Sequence, residues 1–210
     1  MEVPGYGPAV ETLRNTLSRH PELKEKAAGL GILYQGRRGL MVVDAIASRQ
    51  RRYETYVVPK LLPMYESKAT DLSLGSLART QPYWLPLRHE EAKTMSAVAE
   101  KILSFGIAQQ LINEDEICTA WSTDSEALIQ MREVFGVGPA LSEYLRMLCG
   151  ADSLKVDIRV INGLKALGIE TDWFTPEGVL ALATELSRDV PCTLVELDQC
   201  LWQVLGRRSE

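Results

Sequence analysis

Two glycines one residue apart, followed at once by a proline, stand in the stretch VFGVGPALSEYLRML, residues 134–148. Gly136 and Gly138 tolerate backbone angles that a side chain forbids, and they let backbone N–H groups come close to a ligand. Pro139 has no N–H of its own and a φ suited to the first position of a helix, whose positive end then faces the glycine turn. Free N–H groups at such an end form an anion site, and a nucleic-acid phosphate is the obvious anion. A tight connector between two packed helices accounts for the same residues without any ligand. Downstream, Asp157 in KVDIRVINGLKALG (155–168) stands where a helix opens. Aspartate is favoured there as a cap, at a gain of about 1 kcal/mol. The densest basic stretch is RQRR (49–52), with Arg37 and Arg38 shortly before it. Such a run is a solvated face or a phosphate-binding edge.

Other chemistries find no support in residue spacing. The four cysteines (Cys118, Cys149, Cys192, Cys200) and two histidines (His20, His89) show no metal-ligand spacing, so neither a metal nor a cofactor is expected. Reduced, buried thiols of a cytoplasmic protein are the expectation for the cysteines. No G-x-S-x-G elbow is present, which counts against that hydrolase class. The net charge of −5 also counts mildly against a nucleic-acid partner, although local charge matters more.

Positioning these residues falls to helices. Val10, Leu13 and Leu17 share a face over 8–19, and 39–49 and 52–62 are apolar up to Pro59 and Pro63. The stretch 80–88 is a loop holding Pro82 and Pro86. The sequence predicts a helix over 89–106 with Met95, Val98, Ile102 and Phe105 on one stripe and Gly106 as its stop. A short helix at 107–112 and an acidic loop NEDE follow. Thr123 with Glu126 fits a capping box for a helix reaching Val134. Leu141, Tyr144, Leu145 and Leu148 then follow the i, i+3, i+4, i+7 template. Further helices are expected over 157–167, 176–188 and 193–205. No long period-two alternation exists, so the class is all-α. With 210 residues the chain suffices for one sizeable core or two small lobes. The N-terminus lacks the pattern of a signal peptide, and the most apolar run, 39–47, carries Asp44, so no membrane span is expected.

A glycine hairpin paired with a VD-x-x-V helix start resembles the helix-hairpin-helix (HhH-GPD) DNA glycosylase superfamily, the group that includes endonuclease III, MutY and the oxoguanine glycosylases. The resemblance covers most of the chain. LMVVDAIASRQRRYETYVVPKLLPMY is similar to the family's early helix, after which a glutamine, here Gln50, enters the DNA. RHEEAKTMSAVAEKI resembles a second family helix, and LDQCLWQVLG the tryptophan-bearing last one. The resemblance implies that the substrate base is flipped from the duplex. Breaking its bond to the sugar builds oxocarbenium-like character. Asp157 occupies the position of the family's aspartate, which stabilises that charge and orients water. The second residue after the second hairpin glycine is Ala140, where bifunctional members carry a Schiff-base lysine, so water is the implied nucleophile. The family's iron–sulfur motif is missing. Arg159 stands where the family often has histidine, and either a phosphate contact or a solvated face suits it. Tyr53, Trp84 and Trp121 are read as core or groove-wall aromatics ahead of base-stacking ones.

The resemblance therefore implies two helical lobes. Residues 36–149 form a helical barrel ending in the helix-hairpin-helix, and 1–35 with 150–210 form the second lobe, with DNA in the cleft between them. The expected function is a monofunctional DNA glycosylase of base-excision repair, acting as a monomer on double-stranded DNA, with no membrane partner. Its catalytic residue is Asp157, and its DNA contacts are Gly136, Val137, Gly138, Ala140, Gln50, Arg49, Arg51 and Arg159. A non-catalytic DNA-binding or partner-binding module, or a base-modifying enzyme on the same scaffold, are the alternatives.

Overall fold

The structure, a computed structural model, describes residues 3–49 and 51–206. Gln50 lies outside the described residues. In chain order the α-helices are α1 (Tyr6–Arg19), α2 (Glu22–Leu30), α3 (Arg38–Ala47), α4 (Leu62–Lys68), α5 (Leu74–Arg79), α6 (His89–Ala108), α7 (Glu114–Thr123), α8 (Ser125–Met131), α9 (Pro139–Cys149), α10 (Ile158–Ala166), α11 (Pro176–Asp189) and α12 (Leu194–Cys200). Two stretches, Tyr53–Leu61 and Leu201–Leu205, are π-helical. No strand occurs among the described residues, and the fold is all-α. Among the described residues no helix is long and apolar enough to cross a membrane.

The chain divides into two compact units, one made of residues 31–151 and the other of the two terminal segments up to 30 and from 152. In the first unit α3 is the central rod. Its sequence RGLMVVDAIA is apolar nearly all round and every residue of it is buried, as expected of a helix enclosed by α4, α5, α6, α7 and α9. In the second unit Leu13 and Leu17 of α1, Leu23 of α2, Leu164 of α10, Leu186 of α11 and Leu197 of α12 meet in one apolar core.

Several expected boundaries differ for identifiable reasons. The helix over 52–62 is π-helical instead, with the Val57 N–H reaching the Arg52 carbonyl. Pro59 lies inside it and has no N–H to donate, a usual cause of such a departure. Gly106 does not stop α6. It lies against Ile117, whose side chain fills the place a Cβ would take, and the helix continues to Ala108. The NEDE stretch is a helix start and not a loop. Asn113 caps α7 by accepting from the Asp115 and Glu116 N–H groups at 2.8 and 3.2 Å, and the acidic first turn suits the positive end of that helix. Nor is Thr123 the cap of α8. It ends α7, and the Asp124 carboxylate accepts from the Ala127 N–H at 2.8 Å in its stead.

Candidate functional site

The turn between α8 and α9 is held by its carbonyls and by the Val137 N–H, which donates to the Val134 carbonyl at 2.9 Å. Gly136 has φ +82°, a left-handed conformation that favours glycine. Gly138 has φ −96° and no atom within 4 Å of where a Cβ would stand, so neither its own backbone nor its neighbours require glycine. Val137 between them is 4% exposed and anchors the turn in the core. The Thr94 hydroxyl of α6 reaches the Phe135 carbonyl at 3.0 Å, and the Arg49 guanidinium donates to the Gly136 carbonyl. Among the described residues the N–H groups of Gly136, Gly138 and Ala140 meet no hydrogen-bond acceptor.

Arg49 and Arg51 are therefore part of the scaffold behind this turn. Arg51 makes a bidentate pair with Glu91 of α6 at 2.8 and 2.6 Å, and the second Arg49 amine lies 3.7 Å from the same carboxylate. Glu91 also accepts from the Arg88 N–H at 2.9 Å, closing the start of α6. Burial opposes its ionisation, but the hydrogen bonds from Arg51 and Arg88 and the two arginine charges hold its carboxyl below the usual range. The Arg49 Nε is buried without a partner among the described residues.

α3 grips α9 at two further points. Arg38, fully buried, donates to the Leu148 carbonyl at 3.1 Å and pairs with Asp115 at 2.5 Å. Asp44, also fully buried, accepts from Tyr34 at 2.7 Å, Tyr53 at 3.0 Å and Tyr144 of α9 at 3.3 Å. Burial, and then the Asp44 charge, push all three phenols upward, so they remain donors.

In the other unit Asp157 is the N-cap of α10. Its Oδ1 accepts from the Arg159 and Val160 N–H groups at 2.9 and 3.2 Å. Its Oδ2 lies 3.6 Å from the Lys155 ammonium, and the side chain is 22% exposed. One oxygen is thus committed to the helix, while the other retains lone pairs for a ligand. The segment delivering Asp157 is tied to α12 from both ends. The Asp152 carboxylate accepts from the Val195 N–H at 3.1 Å, and the Lys155 N–H donates to Asp198 of α12 at 3.0 Å. Asp198 is 4% exposed. Burial foremost, with Asp157 adding to it, pushes its carboxyl up to about 7.

Arg159 stacks on the Trp202 ring, with its guanidinium 4.0 Å from the centroid, and one of its terminal amines is buried without a partner among the described residues. Trp121 is 1% exposed and belongs to the core, Trp84 stacks on Tyr65, and Tyr53 serves Asp44. His89, at the start of α6, stacks on Tyr83. Ala140 sits half-buried in the first turn of α9. The four cysteines form no disulfide, and three of them are buried. Among the described residues no three histidine, cysteine, aspartate or glutamate side chains converge as a metal site.

Sequence reasoning missed Thr94, Glu91, Asp44 and Asp198. For the last a signal existed, since an acid stands four residues after Leu194 and three before Leu201 on an otherwise apolar stripe. Comparison with protein-family models, with curated proteins and with solved structures found no match to this chain.

Proposed function

We propose that this chain is a monofunctional DNA glycosylase with the helix-hairpin-helix scaffold, hydrolysing the bond between a damaged, mismatched or modified base and its sugar in double-stranded DNA. The observation that carries the reading is Asp157, fixed by two backbone N–H groups through one oxygen and uncommitted to the helix through the other. The glycine turn adds support, because its carbonyls are held from behind while three N–H groups are left for an anion.

In this mechanism the N–H groups of Gly136, Gly138 and Ala140 bind a backbone phosphate, with the positive end of α9 behind them. The target nucleotide leaves the stack. As the bond from C1′ to the base nitrogen lengthens, positive charge gathers on the sugar and Asp157 Oδ2 stabilises it. A water held by that carboxylate adds its oxygen to C1′ and gives its proton to Asp157 Oδ2, while the bonding electron pair departs with the base nitrogen, which takes up a proton from solvent. Ala140 offers no amine, so no covalent enzyme–DNA adduct forms and the strand is not cut.

One observation favours a second reading, a DNA-binding module without chemistry. Arg49 and Arg51 are engaged within the protein, so neither guanidinium beside the glycine turn is free for phosphate, and the whole chain carries a net charge of −5. A panel of duplexes bearing uracil, thymine mismatches, alkylated bases and oxidised bases separates the two. Abasic product on one duplex, with no adduct trapped by borohydride, supports the glycosylase. Salt-sensitive binding with no product on any duplex supports the module, and a trapped adduct overturns the monofunctional assignment.

A further inference from the structure

We propose that Asp198 is a positioning residue that holds the backbone delivering Asp157 and makes the reactivity of that carboxylate respond to pH. The proposal rests on the glycosylase reading for the role of Asp157, but not for the linkage between the two acids.

The geometry is a short chain of contacts within one unit. Asp198 Oδ1 accepts the Lys155 N–H at 3.0 Å, two residues before Asp157, and the Lys155 ammonium lies 3.6 Å from Asp157 Oδ2. On its other side Asp198 Oδ2 accepts from the Gln199 amide at 3.2 Å. Gln199 in turn accepts from Gln203, and Gln203 accepts from Lys26 of α2 at 2.6 Å. Asp198 is therefore held through both of its oxygens, and at 4% exposure it cannot itself touch a substrate.

Among the described residues few charged groups face Asp198. The segment before α10 supplies Lys155 and Asp157, and α2 supplies Lys26 only through the two glutamines. Among the described residues no charged side chain of α1 or α11 forms an ion pair or hydrogen bond with it. Its own helix adds only Gln199 as a direct partner. Burial places its titration at about 7. Below that, Asp198 is neutral and Asp157 faces the Lys155 ammonium alone. Above it, a second negative charge stands behind Asp157, deepening the potential where the sugar becomes cationic.

The test combines a measurement that needs no substrate with one that does. Carboxyl carbon NMR of the intact protein follows Asp157 against pH, in the wild type and in Asp198→Asn, which keeps an oxygen for the Lys155 N–H. The Asp157 resonance is expected to show an inflection near pH 7 in the wild type and none there in the variant. The single-turnover rate of base release is expected to rise about threefold to tenfold between pH 6 and 8 in the wild type, the size a partly screened charge gives. The variant is expected to be flat over that range. Absence of the wild-type NMR inflection overturns the proposal even if the variant does not fold, and so does a variant whose rate profile matches the wild type. An inflection in a protein that releases no base from any duplex leaves the linkage standing and sinks the glycosylase reading alone.

Discussion

At the scale of single residues, Asp157 has a structural task and a proposed chemical one, and two substitutions separate them. Asparagine caps a helix about as well as aspartate, whereas alanine loses about 1 kcal/mol at such a position. Thermal denaturation of Asp157→Asn is therefore expected to match the wild type, while Asp157→Ala melts lower. Both variants are expected to lose base release, and an alanine variant that keeps it contradicts the assignment. Asp157 was legible in the sequence because a cap is a local device, read from one residue and the helix after it. Asp44 and Asp198 showed only as acids out of place, without their partners. Each is an acid on an apolar helical stripe, and what makes it tolerable comes from distant chain. Three tyrosine hydroxyls at positions 34, 53 and 144 serve Asp44, and the Lys155 N–H with the Gln199 amide serves Asp198.

At the scale of elements, the two hairpin glycines make opposite predictions. A side chain at Gly136 meets both the left-handed backbone and the Arg49 guanidinium, so Gly136→Ala is expected to cost about 1–3 kcal/mol in denaturant unfolding. Gly138 has an ordinary φ and open space, so Gly138→Ala is expected to change stability by less than about 0.5 kcal/mol. It is nonetheless expected to weaken duplex binding in an equilibrium titration, because the added methyl stands beside the free N–H groups. Unchanged affinity in Gly138→Ala argues that the turn is only a connector. Most helices were readable from apolar stripes, since an amphipathic face repeats every turn. The π-helical stretch at 53–61 and the cap at Asn113 were not, because the first depends on how Pro59 is accommodated and the second hides in a charge run. The partners of the RQRR run were not legible either. Its spacing shows positive charge, but only the fold reveals that Glu91 takes up Arg51 and that the Gly136 carbonyl takes up Arg49.

At the scale of the whole molecule, the buried acid Asp198 shapes stability against pH. Its pKa in the folded chain is about 7, above the ordinary 3.8, so the folded state holds a proton that the unfolded state releases. The contribution is fully present below about pH 4 and is lost as pH rises to about 7, at up to roughly 1.4 kcal/mol per unit. The melting temperature of the wild type, measured relative to Asp198→Asn, is expected to fall across that window, and a constant difference contradicts it. If the hairpin grips phosphate, duplex affinity also falls as salt rises, with a shallow slope because Arg49 and Arg51 are engaged within the protein. The all-α class was legible from patterning alone, but which distant residues hold Asp157 and the glycine turn was not, since pairing is settled only by the fold. The most direct measurement is single-turnover base release by the wild type and by Asp157→Asn on whichever duplex of the panel the wild type processes. A loss of about 10²-fold or more, with the melting temperature unchanged, is the expected result. Equal rates in the two proteins would contradict the assignment of Asp157.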